Sequence, residues 1–555
     1  MGVLSPPLHR RLAMRNPFTR LNSFAKVCVG GVVILMLLVL ALESDSSDFR
    51  RTWLRKKRPP VSSGTFKSAK TPLLELASNN STPSWDAALS CNDDLDHLRT
   101  LKERYGLADE FEYYKRHVRV SREDIKRKSL TELKQTFAPE SFRLVDTSIA
   151  YPEKQTCQEP LEVPVSSSPF PSTANLSDFM FGVSTTYARF TDPKTSPVKE
   201  WSYWLTDSAG GSNGGKLVLL LVNATREELT DAASQLGAVG IDADVFRADP
   251  DDIMAVRYMS LVPTMYKQPE RVNKKWLVVC DDDTFFPSPH ALVEKLGEMD
   301  PSQKLYVGTL SEDINNVQRH GSQAFGGAGV FISVPLARDI SDLFFSCSTE
   351  EKINESNSGW GPQGDIILRK CIYENTATRL TNLWELWQID LTGDPSGFYE
   401  SGMRPLSLHH YRGGFWPVAH PFEYTKVSHL CGEDCMMQRF RTADDWVLST
   451  SFSVVHYPQG MDDLNMRQLE RTFAPAPDDK GWNFDYTFGP QRESLLRTGR
   501  KISWDLQEST LQRHANGRIT VSQIYVRKQN DGRWVDEYER PMSRHDGVIE
   551  LVWIS

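Results

Sequence analysis

The chain has 555 residues, of which 39% are hydrophobic and 25% are charged, a composition ordinary for a globular protein. This length is too great for one core, so two or three structural regions are expected. The formal net charge of −8 is small for such a chain and argues against nucleic acid as its main partner.

An uncharged apolar segment at 27–42 interrupts the polar N-terminal sequence. Its 16 residues are few for a plasma-membrane span but sufficient for the thinner bilayers of the early secretory pathway. A cleaved signal peptide is the alternative; it is disfavoured because a long basic region precedes the segment and no small-residue cleavage motif follows it. We therefore interpret residues 1–26 as a cytoplasmic tail and residues 27–42 as a transmembrane signal-anchor.

The orientation of this segment is indicated by glycosylation signals. Lys and Arg residues lie on both sides of it, so the positive-inside rule does not decide. N-x-S/T sequons occur only after it, at Asn79, Asn80, Asn175, Asn223 and Asn354. These sequons favour a lumenal body. We expect Asn79 and Asn80 to be the most readily glycosylated, and Asn223 to be hindered because it follows a predicted buried strand.

The segments before residue 174 predict a stem followed by a helical and linker region. Residues 43–90 are rich in Ser, Pro, Thr and Lys and have no sustained periodicity, as expected for an extended stem. From 91 to about 134 the pattern is charged and helical. A Pro/Ser-rich linker then ends near Thr173, so we predict a helical and linker region over 91–173.

Residues 174–435 alternate between strand-like and helix-like patterns. The run KLVLLLVN (216–223) is continuously apolar, which is typical of a strand covered on both faces. A helix pattern follows it, and a second predicted helix is broken near Pro263 before the strand KWLVVC (275–280). This alternation predicts an α/β fold with a mainly parallel sheet and helices on both faces. Ligands of such sheets bind beyond the carboxyl ends of the strands.

Three consecutive carboxylates, Asp281, Asp282 and Asp283, directly follow the strand KWLVVC. A solvated acidic turn is the ordinary interpretation of such a triplet. Here large apolar residues flank it on both sides, and clustered like charges need a cation or strong donors in such surroundings. Asp281 and Asp283 have the i, i+2 spacing that lets two carboxylates converge on one hard cation. A calcium loop is disfavoured because the spacing of acidic ligands does not continue.

Three further motifs carry candidate site residues. Gly326 and Gly327 would let the backbone approach a ligand closely. Asp365 begins a predicted helix, where it is either a helix cap or a catalytic base in a glycine-rich opening. His409 and His410 follow an apolar run and are either packing residues or, beside a carboxylate site, nitrogen ligands of a metal.

Several motifs together resemble the Fringe-like glycosyltransferases, the β-1,3-glycosyltransferase family 31 of GT-A fold. In chain order they are WLVVCDDDTFF, YVGTLSED, AFGGAGVFIS, GDIILRKCIY, QIDLTGDPSGFYES and PLSLHHY, and the resemblance covers roughly residues 178–435. It implies a type II membrane protein of the Golgi with a lumenal catalytic domain. It also implies an inverting, Mn²⁺-dependent transfer from a UDP-sugar to a glycan or glycoprotein hydroxyl, forming a β-1,3 linkage.

The resemblance also implies roles for individual residues. Asp283 and His409 would bind the metal, with His410 as the alternative to His409. Asp281 and Asp282 would hold the ribose and the donor sugar, and Asp365 would be the catalytic base. The remaining assignments are nucleotide-sugar contacts by Ser184, Thr185, Gly326 and Gly327. If Asp365 is not the base, Asp390 or Asp394 in QIDLTGD is the next carboxylate to test as a substitute base. A catalytically inactive sugar- or protein-binding module that retains the fold is the alternative function.

Cysteine usage predicts a mixture of disulfides and a free thiol. Cys28 lies in the apolar segment, which leaves an odd number of other cysteines. We predict the disulfides Cys347–Cys371, Cys431–Cys435 and Cys91–Cys157, with Cys280 free. The last region, 436–555, alternates apolar and polar residues, and we predict an antiparallel β-rich accessory region there.

Overall fold

The structure is a computed structural model, which describes residues 89–91, 94–138, 142–149, 157–414, 418–472 and 489–555. The predicted tail, the signal-anchor and nearly all of the stem lie outside the described residues. In the described part of the chain, no helix combines the length and apolar character that a membrane crossing requires.

The segment before residue 174 starts as a helix and continues as strands. Its elements are α1 (Leu95–Tyr105), β1 (Glu110–Glu123), β2 (Leu130–Glu132), β3 (Arg143–Asp146) and β4 (Leu161–Ser166). The prediction of a helical region over 91–134 is therefore wrong beyond Tyr105. Gly106 ends α1 in the left-handed conformation. The following EFEYYKRHV (110–118) is rich in aromatic residues that pack well in a sheet, and its charges had suggested a helix.

The middle of the chain alternates strands and helices as predicted. Its first half contains β5 (Phe179–Thr186), α2 (Tyr187–Thr191), α3 (Val198–Leu205), β6 (Lys216–Val222), α4 (Arg226–Ala238), β7 (Asp242–Arg247), α5 (Met254–Tyr266), β8 (Trp276–Val279), α6 (Pro289–Gly297) and β9 (Tyr306–Gly308). Its second half contains α7 (Ile314–His320), β10 (Val330–Ser333), α8 (Val334–Cys347), α9 (Glu350–Glu355), α10 (Gly364–Asn375), β11 (Leu380–Asn382), β12 (Leu386–Trp387), α11 (Ser396–Tyr399), β13 (Ser407–Leu408), α12 (Pro421–Thr425) and α13 (Ser428–Cys431).

These strands build a seven-stranded sheet with the order β11-β9-β10-β8-β5-β6-β7. Strands β7, β6, β5 and β8 are parallel to one another, and β11 is parallel to β9. Only β10 runs against its neighbours within this described sheet. The predicted fold class, an α/β fold with a mainly parallel sheet, is confirmed.

Strand β6 shows how helices cover both faces of this sheet. Leu219 belongs to the same buried cluster as Trp204 of α3, whereas Leu220 belongs to that of Met259 of α5. Successive side chains of a strand point to opposite faces, so the two clusters lie on the two sides of the sheet. The continuous apolar run at 216–223 is thereby explained.

Helix α5 continues through Pro263, so the predicted break is wrong. Proline removes one helical hydrogen bond at a cost of about 3 kcal/mol. The buried face of α5 packs against α8 and α10, and this tertiary packing outweighs the local cost. Nearby hydroxyls bond to helix carbonyls as well: that of Thr264 donates to Ser260 at 2.7 Å.

The C-terminal region consists of strands, as predicted. They are β14 (Arg439–Arg441), β15 (Trp446–Ser449), β16 (Ser453–His456), β17 (Leu469–Glu470), β18 (Gln491–Arg492), β19 (Ile502–Arg513), β20 (Ile519–Arg527) and β21 (Asp546–Ile554). Strands β14, β15, β16, β19, β20 and β21 are antiparallel in this order.

The C-terminal strands do not form a separate module, because the N-terminal strands complete their sheet. Strand β1 pairs in parallel with β21, and β2 pairs in parallel with β14. The result is one ten-stranded sheet, β2-β14-β15-β16-β19-β20-β21-β1-β3, with β4 beside β1. The pairing partners are too far apart in sequence for local patterns to reveal.

The cysteine predictions are confirmed. Disulfides join Cys91 to Cys157, Cys347 to Cys371 and Cys431 to Cys435, and Cys280 is free and buried. The second disulfide links α8 to α10, and closing a loop of this length stabilises a fold by about 3 kcal/mol.

The described sequons lie at the surface. Asn175, Asn223 and Asn354 are all exposed. The preceding strand does not bury Asn223, because β6 ends at Val222 and Asn223 is exposed in the left-handed conformation, with φ of 55°; whether it is glycosylated stays a prediction. Asn79 and Asn80 lie outside the described residues.

A buried ion network joins the segment before β19 to the end of α11 and to β17. The Lys501 ammonium lies 2.6 Å from a Glu400 oxygen, just after α11, and 3.2 Å from a Glu470 oxygen at the end of β17. Burial alone would lower the pKa of Lys501, but the two carboxylates raise it well above its ordinary value. The ammonium therefore stays charged and holds two buried carboxylates together.

We predict that Lys501→Met destabilises the protein by about 3–5 kcal/mol, because it leaves two buried carboxylates without their shared counter-charge. Denaturant unfolding measures this change. The matched control is Lys295→Met, which removes an exposed pair with Glu298 and should leave stability nearly unchanged. Similar unfolding midpoints for both variants would contradict a structural role for the network.

Candidate active site

The acidic triplet lies at the carboxyl edge of the seven-stranded sheet, where β8 ends. The Thr284 hydroxyl accepts a hydrogen bond from the Asp281 N–H at 3.0 Å and donates to the Gly327 carbonyl at 2.7 Å. Phe285 and Leu408 exchange two backbone hydrogen bonds of 2.9 and 2.8 Å. These contacts bring the glycine-rich turn and the segment before the histidine pair against the triplet.

Asp281, Asp283 and His409 form a cluster whose ligand atoms all lie within 4.8 Å of one another. Nε2 of His409 is 3.2 Å from Oδ1 of Asp283 and 3.5 Å from Oδ2 of Asp281. Two carboxylates and one imidazole are donors that suit a divalent ion such as Mn²⁺. The resemblance assigns Asp281 to the nucleotide-sugar, whereas the structure places it in this cluster, which makes it a candidate metal ligand.

The surroundings of His409 fit a metal ligand. The ring is buried, and its Nδ1 has no hydrogen-bond partner among the described residues. Gly327 lies against the ring face, where an added β-carbon would overlap the imidazole. Glycine at this position therefore makes room for His409 beside the carboxylates.

The charges of the cluster compensate one another. Burial alone would raise the pKa of Asp283, but His409 and Arg412 hold it well below its ordinary range. Burial alone would lower the pKa of His409, but Asp283 and Asp281 raise it to about 10. Negative potential at this point is strong enough to hold a proton on a buried imidazole, and a bound cation would take over that compensation.

Asp282 points away from the cluster toward β5 and α2. Its carboxylate accepts a hydrogen bond from the Thr185 hydroxyl and another, 2.6 Å long, from Nη2 of Arg189. Burial raises the pKa of Asp282, and both donors partly offset this effect. Ser184 lies beside Thr185, half-buried at the end of β5. The structure thus brings Thr185 to Asp282, whereas the preceding Ser184 faces the other side of β5, because successive side chains of a strand point to opposite faces.

Two arginines of the site were missed by the sequence analysis. Arg189 lies four residues after Thr185 in the segment GVSTTYARF (182–190), and this short spacing was the available signal. Arg412 follows the histidine pair; its Nη2 is 2.6 Å from Glu200 and 3.4 Å from the Asp282 carbonyl. Glu200 is remote in sequence, so no local pattern indicated this contact.

His410 lies outside the metal cluster. Its Nδ1 is 2.9 Å from Oδ1 of Asp390, and its ring is tilted by 34° against that of His409, with 3.8 Å between the centroids. A left-handed backbone, with φ of 50° at His410, directs the two neighbouring side chains to different partners. Asp390 also accepts hydrogen bonds from Ser311 and Asn316, which holds it in place beneath His410.

Asp394, the other substitute base, is engaged with the C-terminal region. One of its oxygens accepts a hydrogen bond of 2.8 Å from the Ser396 N–H, and the other accepts one of 3.2 Å from Arg533. Both substitute bases thus have protein partners.

Asp365 is the second residue of α10, and Gln363 occupies the capping position. Its carboxylate accepts a hydrogen bond of 2.8 Å from the Ile366 N–H. The residue is partly exposed, yet the protein around its carboxyl raises the pKa to about 6: burial contributes most, Asp281 adds to it, and backbone donors oppose it. A carboxylate with such a pKa is suited to general-base catalysis near neutral pH.

Residues 253–388 match the sequence model of the Fringe-like family. This segment is Fringe-like. It contains α5, the acidic triplet, the glycine-rich turn and Asp365, whereas Ser184, Thr185 and His409 lie outside it. No curated protein sequence matches the chain.

Solved glycosyltransferase structures are similar to parts of the chain that carries this Fringe-like segment. Mouse xyloside xylosyltransferase 1 is 15% identical over 34% of this chain and 78% of its own, with a TM-score of 0.23. GlyE of Streptococcus pneumoniae is 13% identical over 36% of this chain and 45% of its own, also with a TM-score of 0.23. The mannosyltransferase PcManGT of Pyrobaculum calidifontis, in complex with GDP-Man and Mn²⁺, is 12% identical over 39% of this chain and 59% of its own. Its TM-score is also 0.23. The chain covers less than two thirds of the last two structures.

We predict that His409→Gln weakens Mn²⁺ binding on the order of 10²-fold, because it removes one ligand of the cluster. His410→Gln is the matched control, since it alters the adjacent ring and keeps Asp281, Asp283 and His409. Calorimetric titration of the metal-free protein with Mn²⁺ measures both affinities. A larger loss in the His410 variant would reverse the assignment.

Proposed function

We propose that the chain is an inverting glycosyltransferase that moves a sugar from a UDP-sugar to a hydroxyl of a glycan or glycoprotein, with Mn²⁺ and in a β-1,3 linkage. One observation supports this most: the carboxylate–histidine cluster and a carboxyl with a raised pKa occur together at the carboxyl edge of the sheet, within and beside the Fringe-like segment.

Each part of the site has a task in this reaction. Asp281, Asp283 and His409 would hold the ion, which when bound neutralises charge on a diphosphate leaving group. Asp282, with Thr185 behind it, would receive hydroxyls of the ribose and donor sugar. The backbone at Gly326 and Gly327, which has no side chains in the way, would lie close along the sugar-nucleotide.

Asp365 would act as the base of a direct displacement. Its carboxylate takes the proton from the acceptor hydroxyl while that oxygen forms a bond to the anomeric carbon. The bond from this carbon to the diphosphate oxygen breaks on the opposite side, so the configuration inverts and UDP leaves with the electron pair. The partial burial of the carboxyl keeps its basicity higher than that of an exposed aspartate.

Asp365→Asn should reduce transfer by on the order of 10²–10⁴, the usual contribution of a general base. Asparagine retains an oxygen that can accept from the Ile366 N–H, so the melting temperature and the affinity for UDP with Mn²⁺ should not change. Initial rates with a panel of UDP-sugars, together with UDP titrations, measure these quantities. If the variant transferred sugar at the wild-type rate, another group would be the base that removes the proton of the acceptor hydroxyl. A lower melting temperature would assign Asp365 a structural role.

The pH dependence should follow the same carboxyl. Because the base must be ionised, kcat/KM should fall as the pH drops through the pKa of Asp365, about 6 in the metal-free protein. A bound cation favours the ionised form, so the acidic limb should lie at or below this value. In Asp365→Asn, the residual kcat/KM should no longer fall over this acidic range of pH. An acidic limb retained in the variant would belong to another group.

The proposed location is the Golgi membrane, with residues 27–42 as a type II anchor and the catalytic domain in the lumen. Disulfides such as Cys347–Cys371 are typical of oxidising compartments, and the described sequons at Asn175, Asn223 and Asn354 are exposed. Both observations support a lumenal body.

We expect protein purified from its own cells to migrate faster in gels after removal of N-linked glycans. Single substitutions to Gln at Asn175, Asn223 and Asn354 should show which of the exposed sequons contribute to the shift. The same protein produced in a bacterial cytoplasm is the unglycosylated control. Identical migration before and after treatment would count against the lumenal orientation.

A further inference from the structure

A buried hydroxyl in the site has no hydrogen-bond partner among the described residues. It belongs to Tyr258, in the middle of α5, and its oxygen is inaccessible to solvent. Buried polar groups are usually paired, because desolvating an unpaired hydroxyl opposes folding. An exception within a ligand site suggests that the partner is the ligand.

Two glycines hold this tyrosine in place. A β-carbon at Gly326 would lie 2.6 Å from the Tyr258 hydroxyl oxygen, and one at Gly364 would lie 2.5 Å from the Tyr258 Cβ. Any other residue at either position would displace the ring. Gly364 directly precedes the proposed base, and Gly326 directly precedes the glycine that packs on His409. The hydroxyl therefore lies against the glycine-rich turn, near both the proposed base and the metal cluster.

The charges around the hydroxyl favour its role as a donor. Burial raises the pKa of Tyr258 far above its ordinary value, and the nearby carboxylates of Asp281 and Asp365 raise it further, Asp281 by more than Asp365. The hydroxyl thus keeps its proton, and Asp281, one of the two carboxylates that act on it, belongs to the metal cluster. Asp282, which the resemblance assigns to the nucleotide-sugar, instead contacts Thr185 of β5 and Arg189 of α2.

We propose that the Tyr258 hydroxyl donates a hydrogen bond to a ring hydroxyl of the sugar that is transferred. This inference rests on the proposed function. A sugar hydroxyl can accept from Tyr258 and at the same time donate to a carboxylate of the site, so both buried groups gain a partner. Tyr258 is then a determinant of donor specificity, because a deoxy-sugar lacking that hydroxyl would leave the tyrosine unpaired.

The test is Tyr258→Phe, which removes only the oxygen. The matched control is Tyr266→Phe in the same helix, where the ring is half-buried and lies beneath Arg271. The purified full chain is assayed for melting temperature, for binding of UDP with Mn²⁺, and for turnover of UDP-sugars with and without acceptor.

For Tyr258→Phe we expect an unchanged or higher melting temperature, because no protein partner is lost, and unchanged affinity for UDP. With the UDP-sugar that the wild type turns over, kcat/KM should fall by about 10–100-fold, as expected for a lost hydrogen bond to substrate. The loss should also appear in hydrolysis without acceptor, since the contact is to the donor sugar. Tyr266→Phe should behave as the wild type in every assay.

Three results for Tyr258→Phe would overturn the inference: a kcat/KM equal to that of the wild type, a loss of UDP affinity as large as the loss in kcat/KM, or a lowered melting temperature. The first means that the hydroxyl makes no productive contact, the second places its partner on the nucleotide, and the third gives it a partner in the protein. Failure of the proposed function is a different result, namely a wild-type protein that binds Mn²⁺ but turns over no UDP-sugar.

Discussion

The buried imidazole of His409 lies between two carboxylates at the end of β8, and the rest of the site depends on this contact. Without it, Asp281 and Asp283 would repel each other across a poorly solvated edge of the sheet. Three adjacent aspartates are tolerated because the turn sends them to different neighbours. Two share the histidine, and Asp282 has a hydroxyl and a guanidinium of its own.

The parts of the site that could be predicted are those with a local physical signature. The triplet follows a continuous apolar strand, and the topology of parallel strands places such residues at a ligand-binding edge. The glycine-rich turn also has a local signature, but that of Asp365 left a helix cap and a base open, and only the family resemblance implied the base. The partner of His410 was not predictable, because a left-handed backbone at one residue decides which carboxylate it meets.

Other features depend on packing between distant segments and leave no trace in local patterns. Tyr258 reads as an ordinary half-buried helix residue until Gly326 and Gly364 are seen against its ring. The charged residues of β1 predict a helix, because nothing in its own sequence indicates that it pairs with β21. The predicted break at Pro263 failed for a related reason, since the packing of α5 outweighs the proline.

The pairing of β1 with β21 has a consequence for synthesis of the chain. The contact between the Ala108 N–H and Asp546 spans 438 positions, so at about 5–20 residues per second β1 waits for tens of seconds until its partner emerges from the ribosome. During that interval one edge of an aromatic-rich strand stays open to pairing with other nascent chains. Newly made protein therefore needs chaperone protection of this edge more than of the central sheet, whose strands β5, β6 and β8 pair within a much shorter stretch of chain.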